Sequence, residues 1–138
     1  ALPPDARIVI DGLGLPAFLP LVEELAARRA TALIHHPTAL ETGFGADVRE
    51  ALKARERALF PRMARLIATS ALTARRLPEE FGADPARIGV VEPGTDPAPR
   101  ARGSGGPGVA ILAVGAITPR KGHDVLMRAL ARLPDLDW

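Results

Sequence analysis

The stretch Val114-Gly115-Ala116-Ile117-Thr118-Pro119-Arg120-Lys121-Gly122-His123-Asp124 brings together residues that could hold an anion. An apolar run ends at Gly115, a basic loop follows, and helical spacing begins near Gly122. A helix N-terminus offers backbone N–H groups without partners and a partial positive charge. Arg120 and Lys121 add two cations there, so the segment suits a phosphate or diphosphate, with Gly115 at the strand end. The same basic pair also reads as solvated loop charge. Its spacing is neither a Walker loop nor a G-x-G-x-x-G fingerprint.

Other candidates sit where apolar runs end, which is where open α/β sheets bind ligands. They are Asp11-Gly12, His35-His36, Thr69-Ser70 and Glu92-Pro93-Gly94. His35 and His36 are adjacent, so in an extended chain their rings point to opposite sides and do not chelate one metal. One can face a crevice while the other packs or caps, and a hydrogen-bonded structural role is equally open to either. Glu41 either contacts a sugar hydroxyl or bonds its own loop backbone, and His123 reads as a surface residue. The absence of Cys excludes a disulfide scaffold, a thiolate metal site and a Cys nucleophile. No paired-carboxylate or Ser-His-Asp pattern is visible.

These positions need elements to hold them. Residues 7–10, 31–34, 66–68, 88–91 and 109–114 read as strands. Residues 16–29 read as a helix with Phe18, Val22 and Leu25 on one face. Residues 47–60 read as a second helix, with Val48, Leu52 and Leu59 inward. Its charges, Arg49, Lys53, Arg55 and Arg57 against Asp47, Glu50 and Glu56, read as a solvated face laced with i,i+4 pairs or as a contact for an anionic surface. Ser70 is the expected N-cap of a third helix, which Pro78 should interrupt and Gly82 should stop. A last helix over 124–133 should bury Val125, Leu126, Ala129, Leu130 and Leu133. Apolar strands without alternation imply cover on both faces, and alternation with helices implies right-handed crossovers. The expected class is α/β, a doubly wound, Rossmann-like parallel sheet.

The chain has 138 residues, 47% of them apolar, enough for a core and too many for a disordered chain. No apolar run approaches the ~20 residues of a membrane span. The first five residues lack the pattern of a signal peptide, so a cytoplasmic location is expected. A net charge of +2 with no aromatic–basic pattern argues against a nucleic-acid partner. Residues 92–108 hold nine Gly or Pro in 17 residues, which is linker composition. The 30 residues after it cannot form an independent core, and Asp135-Leu136-Asp137-Trp138 looks like a turn entering another strand. The expected organisation is the later part of one domain over 1–92, a linker over 93–108, and the opening strand–helix unit of a second domain over 109–138.

Ile67-Ala68-Thr69-Ser70, followed by the run from Gly82 to Asp96 with its Glu92-Pro93-Gly94-Thr95-Asp96 turn, resembles the end of the N-terminal domain in family-4 glycosyltransferases. Val114 to Leu126 resembles the strand, basic loop and helix that open their C-terminal domain. His35-His36-Pro37 with Glu41-Thr42-Gly43 resembles a strand-end segment of the same family. The resemblance covers most of the chain, in order.

It implies a partial GT-B architecture of two facing Rossmann-like halves. It implies a hexosyltransferase that moves a sugar from a nucleotide-diphosphate donor with retention, without a metal or other cofactor. The acceptor would be a glycan, a lipid or a small molecule, reached in the cytoplasm or by peripheral contact at the inner face of the membrane. By similarity, Lys121 is the phosphate contact, with Arg120 and Gly115 beside it, and His35 faces the donor sugar as the catalytic candidate. His36, Glu41 and Asp11 are the candidate sugar or acceptor contacts. Two departures matter. The family commonly has Arg after the strand-end Gly, where this chain has Ala116. Its pair of glutamates separated by seven residues and its N-terminal Gly-rich loop are absent, and are expected beyond Trp138 and before Ala1. The chain alone is therefore expected to be inactive. The alternative is a non-catalytic relative that keeps the fold and binds a sugar or a partner.

Overall fold

The computed structural model describes Pro3 and residues 5–103 and 105–137. Residues 1, 2, 4, 104 and 138 lie outside it, and with them part of the readings made on the first residues and on Trp138. The chain divides into two compact units, Ala1–Gly94 and Thr95–Trp138.

The first unit alternates strand and helix. Its elements are β1 (Val9–Asp11), α1 (Val22–Ala27), β2 (Thr31–Ile34), α2 (Ala46–Leu59), β3 (Arg65–Ala68), α3 (Ala71–Phe81) and β4 (Ile88–Val90). The four strands form one parallel sheet in the order β1-β2-β3-β4. This is a Rossmann-like α/β arrangement. Because each strand is added on the same side of the last, right-handed crossovers place the helices on one face. Burial along the strands follows from that: Ile10, Ala32, Ile34, Leu66 and Ala68 are buried. Their neighbours on the other face, from Val9 (63% exposed) through Thr31, Leu33 and Arg65 to Ile67, are not buried. The expected cover on both faces is thus present on one among the described residues.

The core of this unit gathers Leu15, Leu25, Leu59, Phe60, Met63, Leu77 and Phe81 around the buried strand residues. Phe60 and Phe81 meet in a tilted pair with ring centroids 5.3 Å apart. Ser70 caps α3 as expected, its hydroxyl accepting from the Thr73 N–H at 3.1 Å. Gly82 ends that helix at φ +68°, where a side chain would be strained.

Three local expectations differ. The segment before α1 winds as a tight 3-10 helix over Leu15–Leu21: Pro16 is tolerated in the first turn, but Pro20 lacks the N–H that an α-helix would use there and its ring crowds the carbonyl four residues back. Pro78 lies inside α3 without interrupting it. Leu77 and Phe81 are buried on either side, and the ~1.5–3 kcal/mol that each contributes offsets the ~3 kcal/mol that an internal proline costs. Val48 is exposed instead of inward.

Among its described residues the second unit holds a short 3-10 turn (Pro119–Lys121) and one helix, α4 (His123–Leu130). Residues 109–114, expected as a strand, join no sheet among the described residues: Leu112 is 88% and Val114 86% exposed. A strand needs a neighbour for its N–H and C=O groups. The Val109 N–H donates to the Asp137 carbonyl at 2.7 Å, which pairs one end of this stretch only among the described residues. On α4, Val125 and Met127 are exposed and Leu126 and Leu130 half-buried, so the apolar face expected to be buried lacks full cover within its unit.

Candidate functional site

The carboxyl ends of β1, β2 and β3 lie side by side, since Asp11, Leu33 and Ile67 are in register across the sheet. Asp11 ends β1, His35 directly follows β2, and Thr69 directly follows β3. Parallel pairing therefore brings to one edge three polar residues, the first two 24 and the last two 34 positions apart in sequence.

They bond to one another. The His35 Nε2 lies 3.2 Å from Asp11 Oδ2. An ionised carboxylate has no proton to give, so the ring nitrogen is the donor. The other Asp11 oxygen accepts from the Leu13 N–H at 2.9 Å, which fixes the carboxylate on its own turn. The Thr69 hydroxyl donates to the His35 carbonyl at 3.3 Å. Both Asp11 and His35 are about half exposed, so their pairing contributes little stability and acts by orienting the ring.

Gly12 is what lets β1 and β2 approach here. Its N–H donates to the Leu33 carbonyl at 2.8 Å, and a Cβ built on it would stand 3.0 Å from that oxygen and 3.1 Å from Ile34 Cδ1. Gly12→Ala should cost about 1–3 kcal/mol through this overpacking, more than the ~0.4–1 kcal/mol a stiffer unfolded chain returns. Urea denaturation of the variant measures the difference, and an unchanged midpoint would contradict the close approach.

The neighbouring candidates are held differently. The His36 ring is half-buried, and its Nε2 is enclosed without a hydrogen-bond partner. Pro37 is fully buried. A 3-10 turn over Thr38–Leu40 follows, and then Glu41, whose Oε1 accepts from the Thr42 N–H at 3.0 Å.

The residue that sequence reading missed is Glu56 on α2. It is 1% exposed, and its two carboxylate oxygens accept from the N–H groups of Thr38 at 2.6 Å and Ala39 at 3.1 Å. Grouped with the solvated charges of its helix, it stands instead in the buried stripe between Leu52 and Leu59, four residues after one and three before the other. A carboxylate inside an apolar stripe was the available signal. Of the basic residues on that helix, Lys53 and Arg57 reach across to Glu80 of α3 and not along their own helix.

Burial raises the Glu56 carboxyl above its ordinary range, against the opposing pull of the Ala39 and Thr38 bonds and of the nearby His36. The sign for stability follows. With the folded value above the unfolded one, the contribution is full below about pH 4.3 and declines as pH rises through the folded value. The stability gap between the chain and its Glu56→Gln variant should therefore narrow as pH rises from acid to neutral. Denaturation midpoints across that range check it, and a widening gap would reverse the sign.

In the second unit, the Lys121 N–H donates to the Thr118 carbonyl at 3.0 Å, and Gly122 at φ +66° turns the chain into α4. Lys121 and Arg120 are exposed on this turn. Gly115 lies within the same loop, where an added Cβ would meet Lys121 and His123 at ordinary contact distance. The Thr118 hydroxyl and His123 Nε2 are enclosed there without hydrogen-bond partners, beside a cavity of about 270 Å³ lined by Ile117, Thr118, Pro119, His123 and Asp124. Free N–H groups at the start of α4, two cations and two unsatisfied polar atoms make a loop that suits an anion. Among the described residues no three His, Cys, Asp or Glu gather as metal ligands, and no helix is long and apolar enough to cross a membrane.

A Rossmann-like parallel sheet with polar residues converging at its strand tips defines the class of protein. The relatives are more particular. The chain is 39% identical over 89 residues to a D-inositol 3-phosphate glycosyltransferase of Thermomonospora curvata, covering 53% of this chain and 21% of that protein. It is 40% identical over 82 residues to the protein of that name in Mycobacterium sp. (strain KMS), covering 52% and 19%. The corresponding protein of Nocardia farcinica is 46% identical over 79 residues, covering 50% and 18%. The chain thus spans about a fifth of the length of these curated relatives. No family model and no solved structure matches it.

Proposed function

We propose that this chain is part of a glycosyltransferase of GT-B architecture, in which residues 1–92 belong to the N-terminal domain, 93–108 link, and 109–138 open the nucleotide-sugar domain. The reaction is a retaining transfer from a nucleotide-diphosphate sugar, and by the name its relatives carry, the acceptor is a phosphorylated cyclic polyol. The observation that carries this reading is the similarity to glycosyltransferases, at 39 to 46% identity over half of the chain. The strand-tip cluster of Asp11, His35 and Thr69 supports it.

The chemistry asks for two things. As the bond to the anomeric carbon breaks, negative charge grows on the departing diphosphate and positive charge on the sugar ring. Lys121, with Arg120, Gly115 and the start of α4, holds the diphosphate; the side chain of Ala116 adds no cation. His35, oriented by Asp11, faces the donor sugar, and His36 and Glu41 lie on the acceptor side of the same loop. No step is assigned to a metal. The protein works in the cytoplasm, with the exposed Arg49 and Arg55 of α2 available to an anionic membrane.

The test is the reaction itself. The full-length protein is incubated with uridine, guanosine and adenosine diphosphate sugars and an inositol phosphate. Release of nucleoside diphosphate, with a product that keeps the donor's anomeric configuration by NMR, is the expected result. An inverted product overturns retention, and no release with any donor overturns the enzyme.

A further inference from the structure

We infer that Glu56 is a positioning residue for His35, acting through the backbone of the turn that follows it; the inference rests on the reading of His35 given above. Three anchors fix the chain after β2. The Thr69 hydroxyl holds the His35 carbonyl, Pro37 is sealed in the core, and Glu56 takes the N–H groups of Thr38 and Ala39, one on each oxygen. Those two N–H groups start the Thr38–Leu40 turn and have no acceptor within it. The first two anchors bracket His35 closely, yet neither sets the direction in which the chain leaves Pro37. Glu56 does, because it ties that direction to α2, whose Leu59 is fully buried.

The residue type fits this task and few others. An apolar side chain in the stripe between Leu52 and Leu59 would pack as well but leave two buried N–H groups without acceptors. An amide would accept one and point its own N–H₂ at the other. A carboxylate accepts both, at the expense of being buried. The Asp11 pairing, half exposed, holds the ring against a backbone that is already set and cannot set it alone.

The experiment compares the unaltered protein with Glu56→Gln and, as a second route, Thr38→Pro, in full-length protein and in this chain. Proline suits the first position of a 3-10 or α turn and removes one donor while leaving the carboxylate in place. In both variants the His35 ring resonances are expected to shift while those of His123 stay, and kcat is expected to fall about 10- to 100-fold with little change in donor KM. If Glu56→Gln does not fold, Thr38→Pro is read alone by the same measures. His35 resonances that stay put in the folded variants overturn the inference, as does a loss confined to KM. His35 resonances that move while the unaltered full-length protein transfers no sugar overturn the enzyme reading and leave the clamp standing.

Discussion

Replacing Lys121 with alanine in the full-length protein should lower sugar transfer by about 10²-fold, the scale on which one preorganised charge stabiliser acts. The loss should fall on kcat more than on donor KM, because the charge on the diphosphate is larger in the transition state than in the bound donor. Lys121→Arg should recover part of it, since the guanidinium keeps the charge and loses the compact ammonium geometry. Steady-state rates of nucleoside diphosphate release read all three. An unchanged rate in Lys121→Ala would remove the phosphate role from the loop between Gly115 and Gly122 and return Lys121 to the solvated charge it also resembles.

The largest effect on the fold is expected at Phe60. Its ring is buried at the end of α2, against Phe81 at the end of α3, and so ties the two helices to one another. Phe60→Ala should cost about 3–5 kcal/mol from lost burial and the cavity left behind, of which about 0.5–1.5 kcal/mol belongs to the ring pair. That is a large share of the ~5–15 kcal/mol by which a domain is stable. Chemical denaturation of the chain gives the number. A loss below about 1 kcal/mol, the ordinary cost of a point change, would show that the aromatic pair is not part of the core. Because α2 also carries Glu56, loosening this end should disturb the turn after His35 as well.

The elements of the first unit were legible where local chemistry and packing agree. Residues 31–34 are a strand by β-branched and apolar content and by their place in the sheet. Ser70 and Gly82 bound α3 because an N-cap hydroxyl and a left-handed glycine are local devices that need no tertiary context. Pro78 shows the reverse case, in which buried neighbours override a local preference that composition alone cannot weigh. The run at 109–114 reads as a strand for good local reasons, but a strand is defined by its partner, and the described residues of its unit hold none.

The site was legible in part. The rule that ligands gather at strand tips pointed to Asp11, His35 and Thr69 as separate positions, and only the parallel register could make them partners. Glu56 was hidden by its surroundings: on a helix rich in Arg and Glu, one more carboxylate looks like surface. Its phase with Leu52 and Leu59 is what distinguishes it, and the acceptors it supplies are needed only because the turn at Thr38 is buried.

Recognition of a diphosphate by the basic turn before α4 is the proposal on which the enzyme reading stands. Calorimetric titration of the full-length protein with a nucleoside diphosphate, the matching monophosphate and the bare nucleoside measures it directly. Affinity is expected to rise with each phosphate, and in a Lys121→Ala variant the diphosphate should lose most of that advantage. Equal affinity for nucleoside and diphosphate, or an advantage that survives intact without Lys121, would contradict it.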